Sequence, residues 1–336
     1  MERDKQVGIQ VARAIAALGI VYFHSWVAIT RFPKDTAFPI PGLSSYGWVA
    51  VDLFFAISGF VICLVSSRGT FSVPSFLIKR VFRVYPLWLV TLTVFAVTAW
   101  LWRGFQPRET AGFFLYSMSL LPTDGYPFYD IGWSLQHEMA FYVMAAALIP
   151  WFGLAGLAIF LTASTLAFHL LDLPWYLAML AYHHGEFLAG VLAFMMRDKI
   201  TRIGFFLPFA IGAILLGYFL TFSTTTWYPI ALFFLICAFA NLNPGEPSWW
   251  QKPATKLGDA SYSIYLIHPL VFLVASAVVS KLPGAPLWFQ EPIRAICFVV
   301  IVTISLLSWE YFERPMNRLG HGVASQNAAP VLNSVA

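Results

Sequence analysis

Val11–Trp26, VARAIAALGIVYFHSW, is apolar enough to cross a bilayer and yet carries Arg13 and His24 inside its length. On an α-helix the eleven steps from one to the other, at about 100° each, bring the two side chains to within about 20° of one face, roughly 16 Å apart along the axis. A cation near one membrane surface and an imidazole near the other, on one stripe, is a costly pattern. Ionisable groups inside a span are functional candidates for that reason.

The surrounding composition sets the class. The 336 residues are 59% hydrophobic and 11% charged, with a mean hydropathy of +0.73, which excludes an ordinary soluble domain. Apolar runs of about 18 to 25 residues are what a hydrocarbon core of about 30 Å asks of helices. The expected fold is all-α, a polytopic membrane bundle of about ten transmembrane helices. The spans fall near 8–30, 46–66, 84–102, 133–150, 153–171, 183–197, 204–222, 226–241, 257–280 and 291–312. Arg13 interrupts the first run and no small-residue cleavage site follows, so that run reads as a retained span. After Pro315 the chain turns polar and small, predicting a membrane domain over 1–318 and a disordered cytoplasmic tail over 319–336.

Lys and Arg in the connections set the orientation. With the N-terminus inside, the cytoplasmic face collects Arg3, Lys5, Arg68, Lys79, Arg80, Arg83, Arg197, Lys199, Arg202, Lys252, Lys256, Arg314 and Arg318, thirteen in all. The outer face has five: Arg31, Lys34, Arg103, Arg108 and Lys281. That bias predicts cytoplasmic termini. A net charge of +4, dispersed along the chain, gives no nucleic-acid surface. Cys63, Cys237 and Cys297 sit far apart in apolar runs and read as packing residues.

Orientation assigns depth. His24 lies about 24 Å from the inner end of its span, Asp52 about 9 Å below the outer surface, and Glu138 about 8 Å below it. Three helices thus bring an imidazole and two carboxylates into one outer layer. A neutral histidine there can take the proton of an attacking alcohol, while a carboxylate on its other nitrogen fixes the tautomer. The same His24 can instead serve as a plain interhelical hydrogen-bonding group. On the cytoplasmic side Arg80 and Arg83, three apart in SFLIKRVFRVYP, share a helix face that suits phosphates as well as ordinary positive-inside anchoring. Trp133, Tyr262, Tyr265 and His268 are placed to line a substrate path. His183, His184 and Glu186 resemble a metal cluster, but adjacent histidines rarely face one ion, so no metal is expected. Arg294, at the outer start of the last span, is expected to snorkel.

RAIAALGIVYFHSW, GWVAVDLFFAISGFVI, KRVFRVYPLW, WSLQHEMAFY, YSIYLIHPLV and YFERP, in this order, resemble the acyltransferase-3 family of bacterial integral membrane acyltransferases. Arg13 and His24 match that family's Arg-x10-His pair, and Arg80 and Arg83 its Arg-x-x-Arg pair. The resemblance implies ten core helices and transfer of an acyl group, usually acetyl from acetyl-CoA, to a sugar hydroxyl of an exopolysaccharide or another surface or lipid-linked saccharide. In the expected mechanism acyl-CoA docks with its phosphates on Arg80 and Arg83. His24 is general base, oriented by Glu138 or Asp52. Arg13 holds the pantetheine arm, the thioester carbonyl or a structural carboxylate. Within the enzymes the alternative is a succinyl- or longer-acyl transferase acting on a glucan; from another class, a secondary transporter, for which broken spans in inverted repeats would be the sign.

Overall fold

The structure, a computed structural model, describes residues 6–28, 41–68, 71–222, 225–242, 248–281 and 290–326. Arg3, Lys5, Arg31 and Lys34 of the charge bias, and residues 327–336 of the expected tail, lie outside the described residues. Among the described residues the chain is helical with no β-strand. Seven helical runs there are long and apolar enough to cross a membrane.

The helices are α1 (Val7–Ala28), α2 (Pro41–Tyr46), α3 (Val49–Ser66), α4 (Val73–Arg103), α5 (Ala111–Met118), α6 (Trp133–Leu170) and α7 (Trp175–Ala181). They continue as α8 (His184–Ile200), α9 (Phe206–Thr221), α10 (Tyr228–Ala240), α11 (Gln251–Asp259), α12 (Ser261–Ser280), α13 (Gln290–Ser308) and α14 (Arg314–Gln326). The ten expected spans and the seven long runs differ for two reasons. α9 and α10 have 16 and 13 residues, short of the full hydrocarbon thickness. The spans expected at 133–150 and 153–171 form one run, α6, broken where Gly153 takes φ 64°, a left-handed value that suits only glycine without strain.

The chain divides into two compact units, 1–61 with 183–308, and 62–182 with 309–336. In the first, α1 packs on α10, α11 and α12, α12 on α13, and α10 on α8 and α9. Its core holds Ala17, Val21, Ile264, Phe272, Val279, Cys297 and Ile301. Ala17 and Val21 fall four and eight places after Arg13, and Ile264 and Phe272 flank His268 by four on either side. Both histidine-bearing stripes therefore face the core. α3 and α8 approach backbone to backbone, since a Cβ at Gly59 would meet the Phe187 carbonyl and one at Gly190 the Ala56 carbonyl.

In the second unit α4 packs on α5, α6 and α14. The indole of Trp88 lies over Gly132, where a Cβ would strike the ring, and its Nε1 donates to the Ser117 carbonyl at 3.2 Å. α4 begins at Val73, with Pro74 in its first turn, so Arg80 and Arg83 lie well inside a 31-residue helix. The expectation of disorder from 319 onward is corrected over 319–326, which belong to α14. Gly320 and Ala324, four apart, make a smooth stripe against α4: Phe82 sits over Gly320, and Ser75 Oγ donates to the Ala324 carbonyl at 2.9 Å. A composition of small polar residues looked tail-like because the stripe that holds the helix contains no large apolar side chain. The three cysteines are buried and free.

Candidate active site

The first unit places His24 of α1 against His268 of α12, with Nδ1 of His24 2.6 Å from Nε2 of His268 and the rings 4.9 Å apart at 14°. The partners fix the protons. Pro269 has no N–H, so the Tyr265 carbonyl lacks its usual helical donor four residues on. The His268 ring fills that gap: its Nδ1 lies 3.1 Å from the Ile264 carbonyl and also faces the Tyr265 carbonyl. A carbonyl only accepts, so Nδ1 of His268 carries the hydrogen. His268 is fully buried, which favours the neutral ring, with its lone pair on Nε2. His24 must then donate from Nδ1, and its Nε2 is left with the lone pair. A histidine in this tautomer is set up to accept a proton at Nε2 and to hold the resulting positive charge through the Nδ1–H it already donates. Tyr265 lies 5.9 Å from His268, ring to ring, and 6.3 Å from Phe54. Tyr262 is buried one turn earlier on α12. Arg13 is half-buried on α1, on the stripe it shares with His24.

A second cluster in the same unit joins α3, α8 and α10. Asp52 Oδ1 lies 3.3 Å from His183 Nδ1, which is 3.6 Å from Glu186 Oε1. Tyr228 donates its hydroxyl to Glu186 Oε1 at 2.9 Å. Asp52, His183, Glu186 and Tyr228 are all buried, and the ligand atoms of the first three fall within 4.8 Å of one another. The Gly59 and Gly190 approach between α3 and α8 is what brings these side chains within reach. Asp52 thus turns to His183, not to His24.

The second unit holds its polar groups around an arginine. Arg80, buried at 8% exposure, lies 5.2 Å from the centre of the Phe76 ring and 5.1 Å from that of Tyr142. Tyr142 donates its hydroxyl to Glu138, four residues earlier on α6. Arg83 and Glu138, both half-buried, stand within electrostatic reach of Arg80. Nε of Arg80 is buried with no hydrogen-bond acceptor. Such an arrangement stabilises a cation on ring faces and carboxylate while leaving donors for an anion. Trp133 packs its ring 5.8 Å from that of His137 at the start of α6.

A family model described as "Acyltransferase domain" matches residues 6–309, which takes in both units. The chain belongs to the acyltransferase-3 family. It is similar to the exopolysaccharide production protein ExoZ of Rhizobium meliloti (strain 1021), with 28% identity over 304 residues covering 82% of this chain and 90% of that protein. It is similar also to the acyltransferase MdmB of Streptomyces mycarofaciens, with 27% identity over 305 residues, 77% of each chain. No solved structure matches it.

In this acyltransferase the structure brings His24 to His268, and Arg80 to Arg83 and Glu138, while Asp52 joins a group that depth alone had not connected to it. Sequence reasoning had His268 as a path residue only; the signal available was its place between Ile264 and Phe272 on a core-facing stripe, ahead of a proline. The adjacency of His183 and His184 argues against one ion between them, whereas the carboxylate that completes the group of His183 and Glu186 comes from another helix. With the N-terminus inside, the spans expected at 46–66 and 183–197 both begin at the outer face, and the shared depth of Asp52 and Glu186 was the available sign. Arg294, expected to snorkel, is 3% exposed, pairs with Glu291 and covers the Trp26 ring at 3.3 Å, because the indole gives its charge a face inside the bundle.

Proposed function

We propose that this acyltransferase moves an acetyl group from acetyl-CoA to a hydroxyl of an extracellular or lipid-linked saccharide, in a bacterial inner membrane with both termini cytoplasmic. The observation that carries the reading is the His24–His268 pair, whose tautomers leave a lone pair on His24 Nε2. His24 takes the proton from the attacking sugar hydroxyl as the oxygen bonds to the thioester carbon. The tetrahedral intermediate collapses, the C–S bond breaks, and the CoA thiolate is released and takes up a proton. His268, rather than a carboxylate, orients His24 and receives its Nδ1–H bond as positive charge develops. Arg80 and Arg83 supply the phosphate-gripping donors for CoA; Glu138 holds Tyr142 against Arg80. Trp133, Tyr262 and Tyr265 offer ring faces to sugar. ExoZ, named for exopolysaccharide production, supports a saccharide as acceptor, and the charge bias of thirteen basic residues against five supports the orientation.

The test is direct transfer. Purified protein, acetyl-CoA and a membrane extract carrying lipid-linked oligosaccharide should release free thiol in step with the appearance of acetylated glycan by mass spectrometry. Thiol release with an unmodified glycan, or no dependence on acetyl-CoA, rejects the reading.

A further inference from the structure

The cluster on α3, α8 and α10 has no part in the proton transfer described above, and its charges do not balance. Asp52 and Glu186 bring two carboxylates into a buried site, 3% and 5% exposed, against one imidazole, His183. Nδ1 of His183 carries at most one hydrogen, which it can give to one carboxylate at a time. With both carboxylates ionised, even an imidazolium leaves an excess negative charge, and an uncompensated buried charge is expensive. Tyr228 satisfies Oε1 of Glu186, but Oε2 of the same carboxylate is buried with no hydrogen-bond donor. A buried carboxylate oxygen left without a donor, in a group that carries two carboxylates, is what a missing cation leaves behind.

We propose that Asp52, His183 and Glu186 form a binding site for one divalent transition-metal ion. The spacing comes close to a coordination shell. Ligands about 2.1 Å from a first-row metal stand roughly 3.0 to 3.4 Å apart along the edges of octahedral or tetrahedral coordination. The Asp52–His183 separation of 3.3 Å falls in that range, the His183–Glu186 separation of 3.6 Å lies just beyond it, and with all three ligand atoms within 4.8 Å of one another small side-chain shifts close the group on an ion. Two carboxylates and one imidazole suit zinc, manganese or iron; magnesium and calcium prefer oxygen alone. Tyr228 is the outer group that holds one ligand oxygen of Glu186 in place, the usual support for a metal carboxylate. Three protein ligands leave coordination positions for water or another small oxygen donor. Bound there, the ion ties α3 to the start of α8, and α10 joins them through the Tyr228–Glu186 hydrogen bond. The site stands independently of His24's role in acyl transfer.

The test uses the full chain purified in detergent, stripped with EDTA, reloaded with Zn2+ or Mn2+, desalted and measured by elemental mass spectrometry. Wild type should hold about one ion per chain, and Glu186→Gln or Asp52→Asn at least about tenfold less. His24→Asn with His268→Asn should keep the ion, which separates this site from the histidine pair. Reloading should also raise the melting temperature of wild type and not that of Glu186→Gln, since the ion binds only the folded state. A stripped and reloaded wild type without metal, which needs no variant to fold, overturns the site. Equal metal in Glu186→Gln and wild type overturns it too.

Discussion

The two units bury polar groups by opposite means. In the first, the buried groups exchange protons: His24 and His268 share one N–H, and His183 stands between two carboxylates. In the second, the central group cannot release its proton. Arg80 is charged at every accessible pH, and it is held on the faces of Phe76 and Tyr142 beside Glu138. A group of the first kind can act as a base at neutral pH; one of the second can only hold an anion. Under the proposed mechanism, chemistry falls to the first unit and donor binding to the second.

The largest effect should come from removing the base. His24→Asn keeps a side chain of similar polarity but no proton acceptor of comparable strength, and kcat should fall about 10² to 10⁴-fold with little change in KM for acyl-CoA. Loss confined to KM would break the division at its first half. Arg80→Ala should do the reverse, raising KM for acyl-CoA on the order of tenfold or more, as expected for a lost charge-assisted contact, with kcat nearly kept. Arg83→Ala should act in the same direction and less strongly, because Arg83 is half-exposed and lacks the ring contacts of Arg80. A kcat defect without a KM defect in both arginine variants would break the second half.

His268→Phe sharpens the comparison within the first unit. The variant keeps a ring on the stripe between Ile264 and Phe272 but removes the acceptor for His24 Nδ1–H. Activity should drop about tenfold, and the acidic limb of the pH–rate profile should move, because the His24 imidazolium has lost its partner. A rate loss with an unmoved acidic limb would reduce His268 to a packing residue.

Much of this was legible in the chain itself. Composition and run length gave an all-α membrane protein, and six ordered motifs gave the family, because both depend on residues close in sequence. The helix face shared by Arg80 and Arg83 was equally local. What depended on contacts between distant helices was not legible. Depth put His24, Asp52 and Glu138 in one layer, but depth says nothing of rotation about each helix. Asp52 turned out to face α8, because Gly59 and Gly190 let those two backbones approach. The partner of His24 was a second histidine, made available by the carbonyl that Pro269 frees. The exact span count was not legible for a related reason. α10 has only 13 residues, and no run-length rule reveals how a short apolar helix will be covered by its neighbours.

The smallest expected effect comes from an arginine of the second unit that differs from Arg80 in its surroundings alone. Arg103 ends α4 and makes a two-pronged contact with Glu109, at 2.9 and 2.6 Å, in a solvated loop where the Gln106 N–H also donates to Glu109 at 2.7 Å. Those hydrogen bonds, Arg103's first, hold the Glu109 carboxyl below the ordinary carboxylate range. A carboxyl lowered in the folded state contributes stability above its unfolded value of about 4.3 and loses it as pH falls through the lower folded value. Glu109→Gln should therefore lower the melting temperature slightly at pH 7, by less than about 1 kcal/mol in stability, and the gap from wild type should close below about pH 4. A gap that persists unchanged in acid would mean that Glu109 acts by packing rather than by charge.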